Sequence, residues 1–293
     1  MRISAKVPSS GRLPAELGIG QMAAALERAG FDGLWLSDHL VMPERIASRY
    51  PYAADGRPTW PTDLPWYDAI VALAMTAAAT SRASLNVAVL VLPLRHPVEL
   101  AKQIASIDVL SGGRAGLGVG AGWLREEFEA LNVPFETRGG RLDEWIHLLR
   151  ACWSGRPPPF EGEHYRLPAD VLCLPAPQRP PPILVGGHSP AALRRAGRLG
   201  DGWIAHQAVG GIDLEEIAGC AEAMRHAAGS AGRDPEALRV VLRLVGAAER
   251  LEEVAAALPA CAAAGVDEVV VDTPWTDASD PRRAHDLLRE ARA

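Results

Sequence analysis

The run ILVGGHSPAALRRAGRL, residues 183–199, contains the unit from which this chain is built. Three aliphatic residues are followed by a glycine turn, and Ser189 and Pro190 then precede a segment whose apolar residues have helical spacing. Serine is a favoured helix N-cap, and proline fits the first position of a helix. The run therefore predicts one buried strand followed by one helix.

The same succession of a short apolar run, a turn and a helical segment occurs eight times. The predicted strands are residues 3–7, 34–37, 84–91, 115–119, 183–185, 202–205, 240–245 and 268–271. The predicted helices lie near residues 15–29, 67–80, 97–110, 138–153, 189–199, 213–228, 250–264 and 280–292. Eight such units favour an α/β fold, a parallel (β/α)8 TIM barrel with insertions. An open sheet would require a G-x-G-x-x-G turn after the first strand, where the chain has PSSG at residues 8–11.

Length and charge limit the possible classes of function. The chain has 293 residues, is 48% hydrophobic and carries a formal net charge of −6. We expect one soluble barrel domain over residues 1–293, since such barrels use about 250 residues. The acidic balance argues against nucleic acid or anionic membranes as partners. Four scattered cysteines and the lack of a signal core or a membrane-length apolar run predict a cytoplasmic protein.

Two insertions interrupt the alternation, at residues 40–66 and 154–182. The first follows strand two and leaves from the carboxyl end of the barrel, so residues 42–65 are predicted to form a lid over the site. The second precedes strand five on the opposite face. It is predicted to be a structural excursion with a small hairpin around residues 161–163.

The active site of such a barrel is built at the carboxyl ends of its strands. Asp38 and His39 end strand two, and an imidazole held there by a neighbouring group can hold or move a proton near neutral pH. We therefore predict that this pair is catalytic. The alternative, equally compatible with the spacing, is that Asp38 anchors a loop and His39 satisfies buried polar groups.

Metal and Schiff-base chemistry both fit the sequence poorly. Four histidines stand at different strand ends: His39, His96, His188 and His206. No H-x-H follows strand one, so the spacing predicts no metal ligand set. A Schiff base needs a desolvated lysine. Of the two lysines, Lys102 lies in a predicted helix and only Lys6 can point inward.

Two glycine-rich strand ends predict where a cofactor binds. Glycines alternate along residues 116–122 without a following G-K-[ST], so we expect a flat ring against Gly120, Ala121 and Gly122. The alternative is that these glycines only ease strand packing. Residues 186–189, Gly186-Gly187-His188-Ser189, open a helix, and their backbone N–H groups predict a phosphate site. Arg194, Arg195 and Arg198 follow on this helix, where they meet either further acidic groups or solvent.

Several motifs, taken together and in order, resemble the bacterial luciferase-like family. They are GLWLSDH at residues 33–39, PLRHP at 93–97, LSGGR at 110–114, GVGAGW at 118–123, GG at 186–187 and GDGW at 200–203. The resemblance covers nearly the whole chain. It implies a (β/α)8 barrel that binds the deazaflavin F420 or FMN at its carboxyl face. Within the family the sequence is most similar to the F420-dependent oxidoreductases.

The resemblance also implies roles for individual residues. Asp38 and His39 match the acid-histidine pair beside the reactive ring in the deazaflavin sugar-phosphate dehydrogenases of the family. Trp123 stands where those enzymes carry a glutamate proton donor, and two lysines are too few to bind a sugar phosphate as they do. An apolar or aromatic substrate is therefore expected, with Trp60, Trp66, Trp123 and His206 on the substrate side.

The family places a bulge, often with a non-proline cis peptide, at the end of strand three to support the central ring. The matching place is near Leu90-Val91-Leu92, and Leu90 and Val91 are expected to contact the cofactor. Barrels of this family commonly pair through helices two and three, and the alanine-rich residues 69–79 allow close packing. A homodimer is therefore expected.

The predicted function is hydride transfer between F420 and a small organic substrate. Three alternatives remain open. An FMN-dependent monooxygenase would use reduced flavin and O2, a non-enzymatic flavin-binding protein would leave no room for substrate, and a metal-dependent barrel hydrolase would contain stoichiometric metal.

Overall fold

The computed structural model describes residues 1–53 and 55–292. Ala54, inside the predicted lid, and Ala293, at the end of the predicted domain, lie outside the described residues. The strands are β1 Arg2–Lys6, β2 Gly33–Leu36, β3 Ser84–Val87, β4 Leu90–Val91, β5 Leu117–Gly120, β6 Phe160–Glu161, β7 Arg166–Leu167, β8 Ile183–Gly186, β9 Gly202–Ala208, β10 Arg239–Val245 and β11 Glu268–Val271. The helices are α1 Leu13–Leu17, α2 Ile19–Ala29, α3 Ala69–Ala79, α4 Pro97–Ser111, α5 Arg125–Ala130, α6 Arg138–Trp153, α7 Pro190–Leu199, α8 Leu214–Ser230, α9 Leu251–Ala263 and α10 Asp280–Arg292.

The strands form the predicted barrel. In the described part of the chain, nine parallel strands follow the order β3-β2-β1-β11-β10-β9-β8-β5-β4. Leu85 of β3 also pairs with Ala115, just before β5, so the two ends of the sheet meet. The sheet is therefore nearly closed into a barrel, with the helices outside, and the predicted (β/α)8 fold class is confirmed.

One predicted strand is divided. Residues 84–91 form β3 and β4, separated by a cis peptide bond between Ala88 and Val89. A non-proline cis peptide was predicted near Leu90-Val91-Leu92, and it lies just before these residues, at Ala88-Val89. Leu90 and Val91 pair with β5, Leu90 opposite Val119 and Val91 opposite Gly120.

Side chains inside the barrel form layers, because every second residue of a strand faces the same side. One apolar layer consists of Trp35, Leu184, Ile204, Val241 and Val270. On its amino-terminal side, Glu268 accepts hydrogen bonds from Ser4 Oγ at 2.6 Å and Trp35 Nε1 at 2.9 Å. Two residues further along the chain from Ile204, Val241 and Val270 stand His206, Arg243 and Asp272, whose polar side chains line the cavity at the carboxyl end of the barrel.

The two insertions lie where the sequence predicts. Residues 37–68 connect β2 to α3, and Ser10 pairs with Trp66 in an antiparallel bridge that holds this segment to the barrel. The second insertion contains the antiparallel hairpin β6–β7, in which Phe160 pairs with Leu167. Among the described residues, no helix combines the length and apolar character needed to cross a bilayer.

Candidate active site

A cavity of about 1250 Å³ opens at the carboxyl ends of the strands, beneath the segment that connects β2 to α3. Every residue that the sequence analysis selected for the site lines it except Leu90, which is fully buried. Leu90 and Val91 are neighbours on β4 and point to opposite sides of the strand. Val91 faces the cavity, whereas Leu90 packs into the surrounding core.

His39 is held by a carboxylate that the sequence analysis did not select. Its Nδ1 lies 3.1 Å from Glu127 Oε2, and both side chains are buried. Glu127 Oε1 accepts hydrogen bonds from the backbone N–H groups of Leu40 at 2.6 Å and Val41 at 3.3 Å. A carboxylate in this position accepts the Nδ1 proton of the imidazole, which leaves Nε2 as the ring atom able to exchange a proton with a ligand.

Asp38 is engaged differently. Its carboxylate accepts two hydrogen bonds from the Arg95 guanidinium, both 2.7 Å, and one from the Val91 backbone N–H at 3.0 Å. Arg95 also lies 3.3 Å from Asp68, the N-cap of α3. Such a bidentate pair fixes geometry well. Asp38 therefore joins the end of β2 to β4 and α3, while its predicted catalytic role stays a prediction.

Aromatic side chains surround His39. Its ring centroid lies 4.7 Å from Trp66, 6.3 Å from Trp123 and 6.4 Å from Trp60, and Tyr50 packs against both Trp60 and Trp123. Among the described residues, the buried Nε1 atoms of Trp60 and Trp66 have no hydrogen-bond partner. Buried donors are usually paired, so these two N–H groups are available to an acceptor on a ligand.

The glycines of β5 and β8 clear volume, as the sequence predicts, but a side chain fills it. A Cβ atom at Gly120 would lie 2.8 Å from Val89 Cγ2, and one at Gly186 would lie 2.7 Å from Val89 Cγ1. Val89, which follows the cis peptide bond, therefore packs against both strands and forms the cavity wall between them. A flat ring would rest on Val89 and not on bare glycine backbone.

The predicted phosphate site lies at the start of α7, which has the expected N-cap residue. Ser189 Oγ accepts a hydrogen bond from the Ala192 backbone N–H at 3.2 Å and begins α7. Arg195 of α7 and Arg138 of α6 also line the cavity, and the Arg138 guanidinium stacks 3.7 Å above the Phe135 ring. In contrast, Arg194 and Arg198 are exposed. Arg195 is already paired with Asp143, so the positive charge of Arg138 and the N–H groups at the helix start are the features that suit an anionic group.

The two histidines after β8 and at β9 form one unit. His188 Nε2 accepts a hydrogen bond from the His206 backbone N–H at 3.0 Å, and His188 Nδ1 lies 2.9 Å from Glu216. The ligating atoms of His188, Glu216 and Cys220 lie within 4.8 Å of one another. The predicted absence of a metal stays a prediction. Burial, with the positive charge of Arg243, lowers the pKa of His206 to about 3, so this imidazole is neutral at pH 7.

Three charged side chains lie at the floor of the cavity: Lys6, Arg243 and Asp272. Arg243 Nη2 donates to Asp272 Oδ1 at 2.7 Å. Arg243 and Asp272 were not predicted as site residues. A signal for Arg243 was present, because a charged arginine stands within the aliphatic run RVVLRLV of β10. Glu127 left no comparable signal, because it lies 88 positions from its partner His39.

A parallel barrel with a deep polar and aromatic cavity at its carboxyl end is the architecture in which barrel active sites are found. A family model described as luciferase-like monooxygenase matches residues 10–291. The chain belongs to this family, which confirms the resemblance that its motifs indicated.

The chain is similar to proteins linked by name to F420. It is 36% identical over 200 residues to an F420-dependent glucose-6-phosphate dehydrogenase of Nakamurella multipartita, an alignment that covers 65% of this chain and 52% of that protein. It is 42% identical over 196 residues to an uncharacterized protein of Mycobacterium tuberculosis, covering 67% and 66%. The chain thus spans only about half the length of the first relative and 66% of the second.

A solved structure resembles the whole barrel. An F420-dependent secondary alcohol dehydrogenase in complex with an F420-acetone adduct superposes with a TM-score of 0.75 at 17% identity, covering 100% of this chain and 99% of that one. At this identity the likeness supports the fold alone.

Proposed function

We propose that this protein is an F420-dependent oxidoreductase that transfers a hydride between F420 and a small organic substrate. The observation that carries the proposal is the buried His39–Glu127 pair at the wall of a 1250 Å³ cavity. The names of the similar dehydrogenases support the choice of cofactor. We also propose that residues 1–293 form one barrel domain and that the protein is a cytoplasmic homodimer, whose mass light scattering would measure.

The residues present fit such a cofactor. The cavity exceeds the usual range of small-ligand sites, about 300–1,000 Å³, and therefore has room for a cofactor and a substrate together. Val89 and Val91 would support the ring, and Ser189 with Arg138 and Arg195 would hold its phosphate and acidic groups. When bound, F420 supplies the two-electron hydride chemistry.

The contribution of the chain is positioning and proton handling. Glu127 fixes the ring of His39, so that Nε2 gives a proton to the substrate or takes one from it as the hydride moves. The Nε1 donors of Trp60 and Trp66 suit a carbonyl or alkoxide oxygen beside His39. The segment that carries them lines the cavity, and where it covers a bound substrate it would exclude water and so strengthen these polar contacts.

The first test is a parallel titration of the purified apoprotein with F420 and with FMN, followed by quenching of tryptophan fluorescence. Trp60, Trp66 and Trp123 line the cavity and report on its occupation. The proposal predicts micromolar or tighter binding of F420 and negligible binding of FMN. A preference for FMN would replace it with the oxygen-consuming monooxygenase, and binding of neither would overturn both.

A further inference from the structure

The floor of the cavity carries more positive than negative charge. Arg243 and Asp272 form one ion pair at 2.7 Å, and Arg243 Nη1 is also satisfied by the Leu244 carbonyl at 2.7 Å. The Arg243 side chain is only 7% exposed. Lys6, at the end of β1, adds a second cation to this pair, so the three groups together carry a net charge of +1 when Lys6 is protonated.

Lys6 has no acidic partner of its own, because Asp272, the carboxylate whose charge acts on it, is paired with Arg243. Within residues 1–53 and 55–292 its ammonium donates no hydrogen bond, although it has three N–H donors. Burial lowers the pKa of Lys6 and Arg243 lowers it further, while Asp272 raises it. An anion beside Lys6 would oppose both lowering effects, because an opposite charge favours the charged form.

The other carboxylates of the cavity are already engaged. Asp38 is paired with Arg95, and Glu127 with His39. Glu216 interacts with His188 and accepts a hydrogen bond from Gln207 Nε2 at 2.8 Å. The positive charge at the floor is therefore not balanced by a second acidic group of the cavity, and a buried charge without a partner is costly.

Neutral donors stand near this charge. His206 Nδ1 is buried without a partner among the described residues. Burial raises the pKa of Tyr50 and raises that of Tyr52 to about 12, so both phenols keep their protons at neutral pH. Tyr50 and Arg243 line the same cavity, and the positive charge of Arg243 opposes the rise in the pKa of Tyr50.

We propose that Lys6 and Arg243 form a subsite for the single carboxylate of an organic-acid substrate, whose apolar or aromatic body packs against Tyr50, Trp60 and Trp123. The proposal rests on the proposed function, since it names the substrate class of the same site. A net charge of +1 balances a monoanion, whereas a phosphomonoester dianion would exceed it. The expected apolar or aromatic substrate would therefore also carry one negative charge.

The topology assigns this anion to the substrate and not to the cofactor. Around the barrel, β1, β11 and β10 are adjacent, and β9 separates them from β8, β5 and β4, which carry or lead into the predicted cofactor residues. On its other side, β1 pairs with β2, which leads into His39. A carboxylate on Lys6 would thus hold the substrate on the His39 side of the cavity, across from Ser189.

The test compares two isosteric probes, benzoate and the neutral benzamide, in equilibrium titrations followed by tryptophan fluorescence. We expect benzoate to bind at least tenfold more tightly than benzamide. In Lys6→Met this preference falls to less than threefold. Lys102→Met is the matched control, because Lys102 is the other lysine of the chain and lies on the surface, donating to the Leu174 carbonyl. We expect Lys102→Met to keep the preference for benzoate over benzamide.

A second variant tests Arg243 without leaving its partner unpaired. Arg243→Met combined with Asp272→Asn removes both charges of the pair, and we expect it to weaken benzoate binding at least tenfold while benzamide binding changes by less than threefold. The melting temperature of each variant checks that it folds. Equal binding of the two probes to the wild type, failure of benzoate to bind at millimolar concentration, or tighter binding of inorganic phosphate would overturn the proposal.

Titration of Lys6→Met with F420 separates this inference from the proposed function. We expect its F420 affinity to stay within threefold of the wild type. If F420 fails to bind the wild type, the proposed function fails whatever benzoate does. If F420 binds and Lys6→Met reduces F420 and benzoate affinity alike, the anion belongs to the cofactor, and only the present inference is wrong.

Discussion

At the scale of single residues, the central feature is a histidine whose two nitrogens have different surroundings. Glu127 occupies the Nδ1 side of His39 and is itself held by two backbone N–H groups. The carboxylate therefore cannot turn away without losing those bonds, and the imidazole keeps one tautomer and one orientation. Orientation of this kind is what general acid-base catalysis requires of a side chain.

Replacement of His39 by alanine tests its role directly. We expect His39→Ala to slow turnover at least tenfold, about 1.4 kcal/mol or more of barrier, while F420 affinity changes only a few-fold. Steady-state kinetics and the fluorescence titration measure the two quantities separately. Unchanged turnover would remove His39 from the mechanism.

Glu127 is a positioning residue, and its variant has a distinct signature. Glu127→Gln keeps the volume and one acceptor oxygen but removes the anion beside the imidazole. We expect kcat to fall at least tenfold with KM within threefold, because a neutral amide is a weaker acceptor for the Nδ1 proton and orients the imidazole less firmly. Glu129→Gln, an exposed position on the same helix, is the control. An unchanged kcat, or a KM that rises as much as kcat falls, would reduce Glu127 to a structural role.

At the scale of elements, the cavity wall depends on close contact between β4, β5 and β8. Val89 enters the space that Gly120 and Gly186 leave open. Because β5 and β8 are hydrogen-bonded neighbours, one side chain reaches both strands. The glycines therefore serve strand packing at the cavity wall, while their predicted contact with a cofactor stays a prediction.

Addition of one methyl group tests this wall. Gly120→Ala places a Cβ 2.8 Å from Val89 Cγ2, and we expect a loss of about 1–3 kcal/mol in the free energy of unfolding, together with weaker F420 binding. Gly219→Ala is the matched control, since its Cβ meets nothing within 4 Å and lies inside α8. It should be neutral or stabilising, by up to about 1 kcal/mol. Urea unfolding measures both, and equal stabilities would contradict the packing role.

At the scale of the whole molecule, stability is linked to pH through His206. Burial, Arg243 and His188 lower the pKa of His206 from 6.5 to about 3, against the opposing effect of Asp272. The imidazole is therefore neutral in the folded protein at pH values where the unfolded chain protonates it. The unfolded state then binds one more proton at His206 than the folded state does. The free energy of unfolding therefore decreases as the pH falls from 6.5 towards 3.

Replacement of His206 by phenylalanine should abolish this contribution. Phenylalanine retains a ring beside Tyr52, whose centroid lies 4.2 Å from that of His206. We expect His206→Phe to gain stability relative to the wild type when urea unfolding of the ligand-free protein is repeated at about pH 5 instead of about pH 7.5. His147→Phe, at an exposed position of α6, should show no such gain. Parallel pH dependence in His206→Phe and the wild type would refute the linkage.

The sequence by itself determined the features that depend on local order. Apolar spacing predicted eight strand–helix units, and Ser189 with Pro190 predicted the start of α7. The ends of the strands predicted where the cavity lies and part of its lining, because parallel strands of a barrel bring their carboxyl ends together. Each of these signals lies within a few consecutive residues, so it does not depend on how distant parts of the chain pack.

The tertiary structure alone decided which side chains meet. Glu127 reaches His39 across 88 positions of sequence, and Lys6 meets Arg243 and Asp272 only because β1, β10 and β11 are brought side by side. These residues come into contact only when the barrel closes. A local sequence pattern therefore cannot predict which of them meet.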